Sequence, residues 1–114
     1  MIIQYENLNM VVKPNLTDGE GDIAIKEYIH KDNMTNCRMV CEQTIPKGGS
    51  IGKHTHIRET EYYIITKGEG KVIEKTGEYL IFSGDLVMTG HQEMHSIVNT
   101  GNEPLVMIAI IVTH

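Results

Sequence analysis

The chain has 114 residues, 40% of them apolar and 22% charged, with a net charge of -5 when its six histidines are counted as neutral. That length suits one domain with a sizeable hydrophobic core, and ten scattered Lys and Arg residues offer no basic surface for nucleic acid. The N-terminus lacks the basic and apolar regions of a signal peptide, and the longest apolar run, Leu105 to Val112, is too short to cross a bilayer, so no membrane partner and a cytoplasmic location are predicted.

Residues 1–21 read as an irregular N-terminal arm, in which Ile2 to Tyr5 and Met10 to Val12 could form short edge strands. Pro14 to Asp22, with Asn, Thr, Asp and Gly, reads as a loop. Asp22 to Ile29 is the first regular strand, and Lys31 to Asn36 is a second loop. Cys37 to Ile45 is a strand with Met39, Cys41 and Gln43 on one face. The opposite face, Arg38, Val40, Glu42 and Thr44, is more polar and reads as outward. Along that strand the two cysteines would lie about 13 Å apart. A disulfide needs Cα atoms within about 7 Å, so both thiols are predicted free.

Next come His54 and His56. One residue apart on an extended strand, they project from the same face. A strand from Glu61 to Thr66 follows, carrying Tyr63 and Ile65 on the face of Glu61. Glu61 has the opposite parity to the histidines, so Ile57 to Thr60 must turn or bulge. Glu59 has the same parity as Glu61 and is the rival carboxylate; its simpler reading is a solvated loop charge paired with Arg58. Lys71 to Lys75, Glu78 to Phe82, Asp85 to Met88, His95 to Asn99 and Leu105 to Val112 complete the predicted strands. Lys67 to Gly70, Thr76-Gly77, Ser83-Gly84 and Asn99 to Asn102 separate them with turn chemistry, Gly68-Glu69-Gly70 reading as a hairpin turn. Many short strands and no helical period predict an all-β barrel or sandwich.

Three imidazoles and one carboxylate drawn to a common point would form a transition-metal site. Mn, Fe, Co, Ni and Zn all accept that donor set. Four protein ligands leave one or two positions open, as a catalytic metal requires. His30, His91 and His114 carry no comparable argument. Gln43, Tyr63, Met39, Met88 and Ile97 are candidates for the pocket wall, with Met107 and Phe82 as further ones. Core packing is the simpler role for the apolar members. Gln43 and Tyr63 are polar enough to hydrogen-bond a bound carboxylate or to orient a metal ligand.

Two motifs organise these residues. The first is G-x5-H-x-H-x4-E-x6-G, with Gly48, His54, His56, Glu61 and Gly68 at its fixed positions. The second is G-x5-G-x-Q-x2-H-x3-N, with Gly84, Gly90, Gln92, His95 and Asn99. Here the chain resembles the cupin superfamily. It departs where Gly90 replaces a usual proline and Gln92 a usual glycine, which affects the loop before His95 and not the ligand itself. The resemblance implies one cupin domain over 1–114, folded as an antiparallel double-stranded β-helix, or jelly-roll barrel. It implies one divalent transition-metal ion held by His54, His56, Glu61 and His95. It is similar to the compact single-domain cupins grouped by likeness to oxalate decarboxylase. The implied activity is that of a small-molecule metalloenzyme acting on an organic acid or a sugar derivative, of decarboxylase, isomerase, lyase or dioxygenase type. The alternative is a non-catalytic, metal-dependent binding or sensor module for a small ligand. The likeness also implies a homodimer, paired through sheet faces or exchanged N-terminal strands.

Overall fold

Antiparallel strands account for nearly all the regular structure in the computed structural model, which describes residues 1–114. There are ten: β1 (Met10–Pro14), β2 (Asp22–Glu27), β3 (Cys37–Ile45), β4 (Ser50–Thr55), β5 (Glu59–Lys67), β6 (Glu69–Glu74), β7 (Gly77–Phe82), β8 (Leu86–Thr89), β9 (Met94–Asn99) and β10 (Leu105–Thr113). Short 3-10 turns at Tyr5–Asn7, Leu16–Asp18 and Lys31–Asn33 are the only helical pieces. No helix is long and apolar enough to cross a membrane.

The strands form two sheets, one ordered β1-β2-β3-β10-β5-β8 and the other β4-β9-β6-β7. They pack face to face as a jelly-roll barrel. Period-two alternation decides which residues face inward. On β10, Leu105, Met107, Ala109 and Ile111 are buried; on β9, His95, Ile97 and Asn99; on β5, Glu61, Tyr63 and Ile65. Ile45, Ile65, Ile97 and Met107 lie at the centre of the core, each contributing about 1.5–3 kcal/mol by leaving water. At the top of the barrel the same inward positions are polar, and there the fold gathers the histidines.

Two expectations need correction. Gly68 does not sit in a hairpin: β5 belongs to one sheet and β6 to the other, and the chain crosses between them at Gly68 with φ +86°. A Cβ there would lie 2.6 Å from the Pro104 carbonyl oxygen. Ile2 to Tyr5 forms no strand. Instead the Tyr5 hydroxyl donates to Glu42 at 2.6 Å, and Lys26 Nζ lies 4.2 Å from the Tyr5 ring centroid, so this part of the arm rests on its own barrel. The short edge strand expected at Met10 to Val12 is present as β1, which runs on to Pro14 at the edge of the six-stranded sheet and pairs with β2 from Met10↔Lys26 to Pro14↔Asp22. Both cysteines are free, as expected.

Asn99 secures the turn between β9 and β10. Its buried amide donates to the carbonyls of Ile45 and Glu103 and accepts from the Gly101 N–H. Asn99→Ala would orphan these groups, and about 2–4 kcal/mol of lost stability is expected. For a domain near 100 residues that is a fall in Tm of roughly 10–25 °C, measurable by circular dichroism.

Candidate metal centre

β4 and β9 bring the first two imidazoles together. Their pairing runs Ile51↔Ile97 and then His54↔His95, so β4 carries one extra residue between the two pairs. That bulge turns His54 inward although Ile51, of opposite parity, is inward too. His56 lies just past the end of β4. Its N–H donates to the Glu93 carbonyl at 3.1 Å and its carbonyl accepts from the Gln92 N–H at 3.0 Å. The chain then reverses through Arg58, at φ +58°, and enters β5 with Glu61 facing the histidines. This is the register reset that the opposite parity of Glu61 requires.

The four donors converge. Glu61 Oε1 lies 2.8 Å from His56 Nε2, 2.9 Å from His95 Nε2 and 3.5 Å from His54 Nε2. His95 Nε2 lies 3.1 Å from His56 Nε2 and 2.8 Å from His54 Nε2. All four ligand atoms fall within 4.8 Å of one another, and the group could hold a metal ion. Around an ion with bonds of about 2.0–2.2 Å, adjacent donors sit roughly 3 Å apart. The observed spacings match that value.

The outer nitrogens explain the arrangement. His54 Nδ1 donates to the Gly52 carbonyl at 2.8 Å, and His56 Nδ1 donates to Glu59 Oε1 at 2.8 Å. His95 Nδ1 lies 2.7 Å from Thr89 Oγ1. The Gly52 carbonyl and the Glu59 carboxylate only accept, which favours the tautomer of His54 and His56 with the proton on Nδ1 and leaves Nε2 as a lone pair, and the Thr89 hydroxyl allows the same tautomer at His95. Three such lone pairs and a carboxylate oxygen aimed at one buried point repel one another unless a cation sits among them. The residues present therefore fit a divalent metal.

Electrostatics agree. Without a metal ion, burial penalises the Glu61 carboxylate, but imidazoles that then carry a proton on Nε2 donate to it, outweigh that penalty and hold its pKa well below the usual range. Burial works against a charged His56 as well, yet Glu61 and Glu59 prevail and raise its pKa. Burial lowers the pKa of His95. Arg38 and then His56 hold Glu59 down to about 2 against the cost of burial. In metal-free protein the stability contributed by the two carboxylates is present above their ordinary 4.5 and is lost as pH falls toward their folded values. His95 acts in the same direction, while the His56 contribution is already complete below 6.5. The urea midpoint of metal-stripped protein is therefore expected to fall between about pH 5 and pH 3, and Glu59→Gln is expected to flatten that fall.

Several residues differ from expectation. Glu59 is no solvated loop charge: its carboxylate receives two hydrogen bonds from Arg38, at 2.6 and 2.8 Å, and the one from His56. Arg38, expected to face outward, reaches across to it because β3 and β5 both flank β10. Met88 is 61% exposed and takes no part in the pocket; inward positions on β8 are Val87 and Thr89. Phe82 is exposed for the same reason, and Met107 is core. Ile97 is fully buried core below the site. Tyr63 is fully buried and stacks on the His95 ring at 5.1 Å, with burial and then Glu61 pushing its phenol well above the ordinary value. Thr89 escaped notice because the predicted strand stopped at Met88; extending it by one residue places Thr89 on the face of Val87.

A cavity of about 140 Å³ lies against His54, His56 and Glu61. Met39, Gln43 and Tyr63 line it, as the sequence suggested, together with Leu16 and Arg38. Leu16 comes from the loop expected at Pro14 to Asp22. That loop is pinned over β4: Thr17 Oγ1 donates to the Gly52 carbonyl at 2.8 Å, and a Cβ at Gly52 would collide with the Thr17 carbonyl. The loop before His95 holds His91 at φ +52° and Gln92 at φ +66°. Gln92 thus adopts the left-handed conformation natural to the glycine it replaces, at a cost on the order of 1 kcal/mol. Gly90 is needed where it stands, because a Cβ would lie 2.6 Å from Thr60 Oγ1.

Comparison with known proteins follows the same lines. Residues 41–111 match the family described as "Cupin domain". A protein of Thermotoga maritima called "Oxalate-binding protein" is 32% identical over 113 residues, covering 98% of this chain and 93% of that protein. A crystal structure from Thermotoga maritima, described as a predicted oxalate decarboxylase, superposes with a TM-score of 0.96 at 30% identity over the whole of both chains. A sugar phosphate isomerase of the cupin superfamily from Silicibacter pomeroyi shares the fold alone, with a TM-score of 0.78 at 14% identity over 100% of this chain and 76% of that one.

Proposed function

We propose, for a chain that belongs to the cupin family, that His54, His56, Glu61 and His95 hold one divalent transition-metal ion and that the site is a small metalloenzyme centre for organic acids. One observation carries the reading: the cavity opens directly onto three of the four donors, His54, His56 and Glu61. A ligand in that space would meet the ion from its open side. His95 stands behind, closed off by Tyr63.

When bound, the ion would act as a Lewis acid on a carboxylate or carbonyl oxygen. The chain supplies the rest. The Nδ1 partners Gly52, Glu59 and Thr89 fix the imidazoles. Tyr63, kept protonated by burial, packs beside the donors as a neutral hydrogen-bond donor. Leu16, Met39, Ile51 and Ile111 exclude water. Similarity to proteins described as oxalate-binding and as a predicted oxalate decarboxylase supports a short organic acid as the ligand. Decarboxylation, isomerisation or lyase chemistry and dioxygenation remain the reaction types this centre fits.

A second reading, a binding module without turnover, has an observation in its favour: apart from the donors, the cavity wall holds only Arg38 and Tyr63 as ionisable groups. The test is incubation of metal-loaded protein with a panel of two- to six-carbon acids and sugars, followed by mass spectrometry and calorimetry. Product formation supports the enzyme, binding without product supports the module, and neither would overturn both.

The protein is also proposed to be a homodimer. Ile64, Leu86 and Met88 are 40%, 59% and 61% exposed, and they form one apolar patch because Ile64 pairs with Leu86 and Tyr62 with Met88 across β5 and β8. Such a patch marks an interaction surface. Met88→Glu is expected to convert a dimer to a monomer in light scattering, with the barrel intact by circular dichroism.

A further inference from the structure

The cavity against the donors does not end there. Leu16, Arg38, Met39 and Gln43 also line a second cavity of about 210 Å³, which runs outward past Lys13 and Glu27. Gln43 stands at the junction, 3% exposed. Its amide nitrogen faces two sulfurs, Met39 Sδ at 3.9 Å and the Cys41 thiol, and its Oε1 accepts no hydrogen bond from the protein. Sulfur is an acceptor, which places the nitrogen on that side and leaves the oxygen free. A buried acceptor without a donor weakens a fold, and a leucine or methionine of similar size would pack there without that penalty. The amide therefore has work to do on something other than the protein.

We infer that Gln43 is a specificity-determining residue, whose amide oxygen receives a hydrogen bond from the hydroxyl group of a small 2-hydroxy carboxylic acid lying against His54, His56 and Glu61. The inference rests on the metal-site reading given above. Size, charge and hydrogen bonding all favour this ligand. The inner cavity has the volume of about five water molecules at ~30 Å³ each, which suits two to four carbons. A divalent ion with the Glu61 carboxylate keeps one positive charge, and Glu59 already neutralises Arg38. A monoanion balances that charge, whereas a dianion would leave a surplus among Leu16, Met39, Ile51 and Ile111. The free valence of Gln43 is an acceptor, which a hydroxyl satisfies and a second carboxylate does not.

Calorimetry on Mn²⁺-loaded protein with glycolate, acetate and oxalate tests this. Wild-type protein is expected to bind glycolate at least tenfold more tightly than acetate, and more tightly than oxalate, because a site built to hydrogen-bond a hydroxyl discriminates strongly against ligands without one. Gln43→Leu and Gln43→Met are expected to lose that factor for glycolate and leave acetate unchanged. Both should keep one metal per chain and an equal or higher Tm. A glycolate-to-acetate ratio unchanged by both substitutions, loss of metal in both, or tighter binding of oxalate than glycolate to wild type would overturn the inference. Failure of all three acids to bind metal-loaded wild-type protein would instead overturn the acid-binding reading of the centre, and the inference with it.

Discussion

His95→Ala is expected to weaken metal binding by about a hundred- to a thousandfold while the barrel stays folded. The magnitude follows from sharing a site free energy on the order of 10–16 kcal/mol among four ligands. The retained fold follows from where the stability lies. Ile45, Ile65, Leu105 and Met107 form the core from other strands, and beyond the other donors the imidazole meets the interior through its stack on Tyr63 and its hydrogen bond with Thr89. Losing that stack costs about 0.5–1.5 kcal/mol. His56→Ala should behave alike. Elemental analysis beside far-ultraviolet circular dichroism checks both. Glu59→Gln provides the control, because its amide oxygen can still accept from His56 Nδ1. It should lower affinity by roughly tenfold at most, the lower end of losses beyond the first coordination shell. Glu61→Gln should match the histidine variants. Full metal content in Glu61→Gln together with loss in Glu59→Gln would show that the other carboxylate is the ligand.

Adding the native ion to stripped protein at a thousand times its Kd should stabilise the fold by about 4 kcal/mol. In a domain of this size that raises Tm by roughly 15–30 °C. The gain is large because folding alone gathers the site: His54 comes from β4, Glu61 from β5 and His95 from β9, in two different sheets. The unfolded chain has no such donor set to compete with it. The same comparison in His95→Ala should show a shift of a few degrees at most. Differential scanning fluorimetry with Mn²⁺, Fe²⁺, Co²⁺, Ni²⁺ and Zn²⁺ reads the effect and ranks the ions.

Much of this was legible in the sequence because period two and glycine punctuation are local signals. Cys37 to Ile45 is a strand over the predicted span, and Leu105 to Val112 differs by one residue. The motif spacing named four donors that the fold then brings together. What the sequence hid was non-local. Nothing near Glu59 announces that Arg38, twenty-one residues earlier, will reach it. Met88 looked like a pocket residue because hydrophobicity does not say which face of an edge strand is covered, and its side of β8 is open. The hairpin expected at Gly68 failed for a similar reason. A tight turn and a crossing between sheets use the same glycine conformation, and only the partner of the next strand separates them.

The central claim is that four side chains share one ion. Crystals of protein loaded with one equivalent of Mn²⁺ or Co²⁺, measured at the metal's absorption edge, test it most directly. The account predicts a single anomalous peak within about 2.0–2.2 Å of Nε2 of His54, His56 and His95 and of a Glu61 carboxylate oxygen. A peak bound by other residues, or none at that point in fully loaded protein, would contradict it.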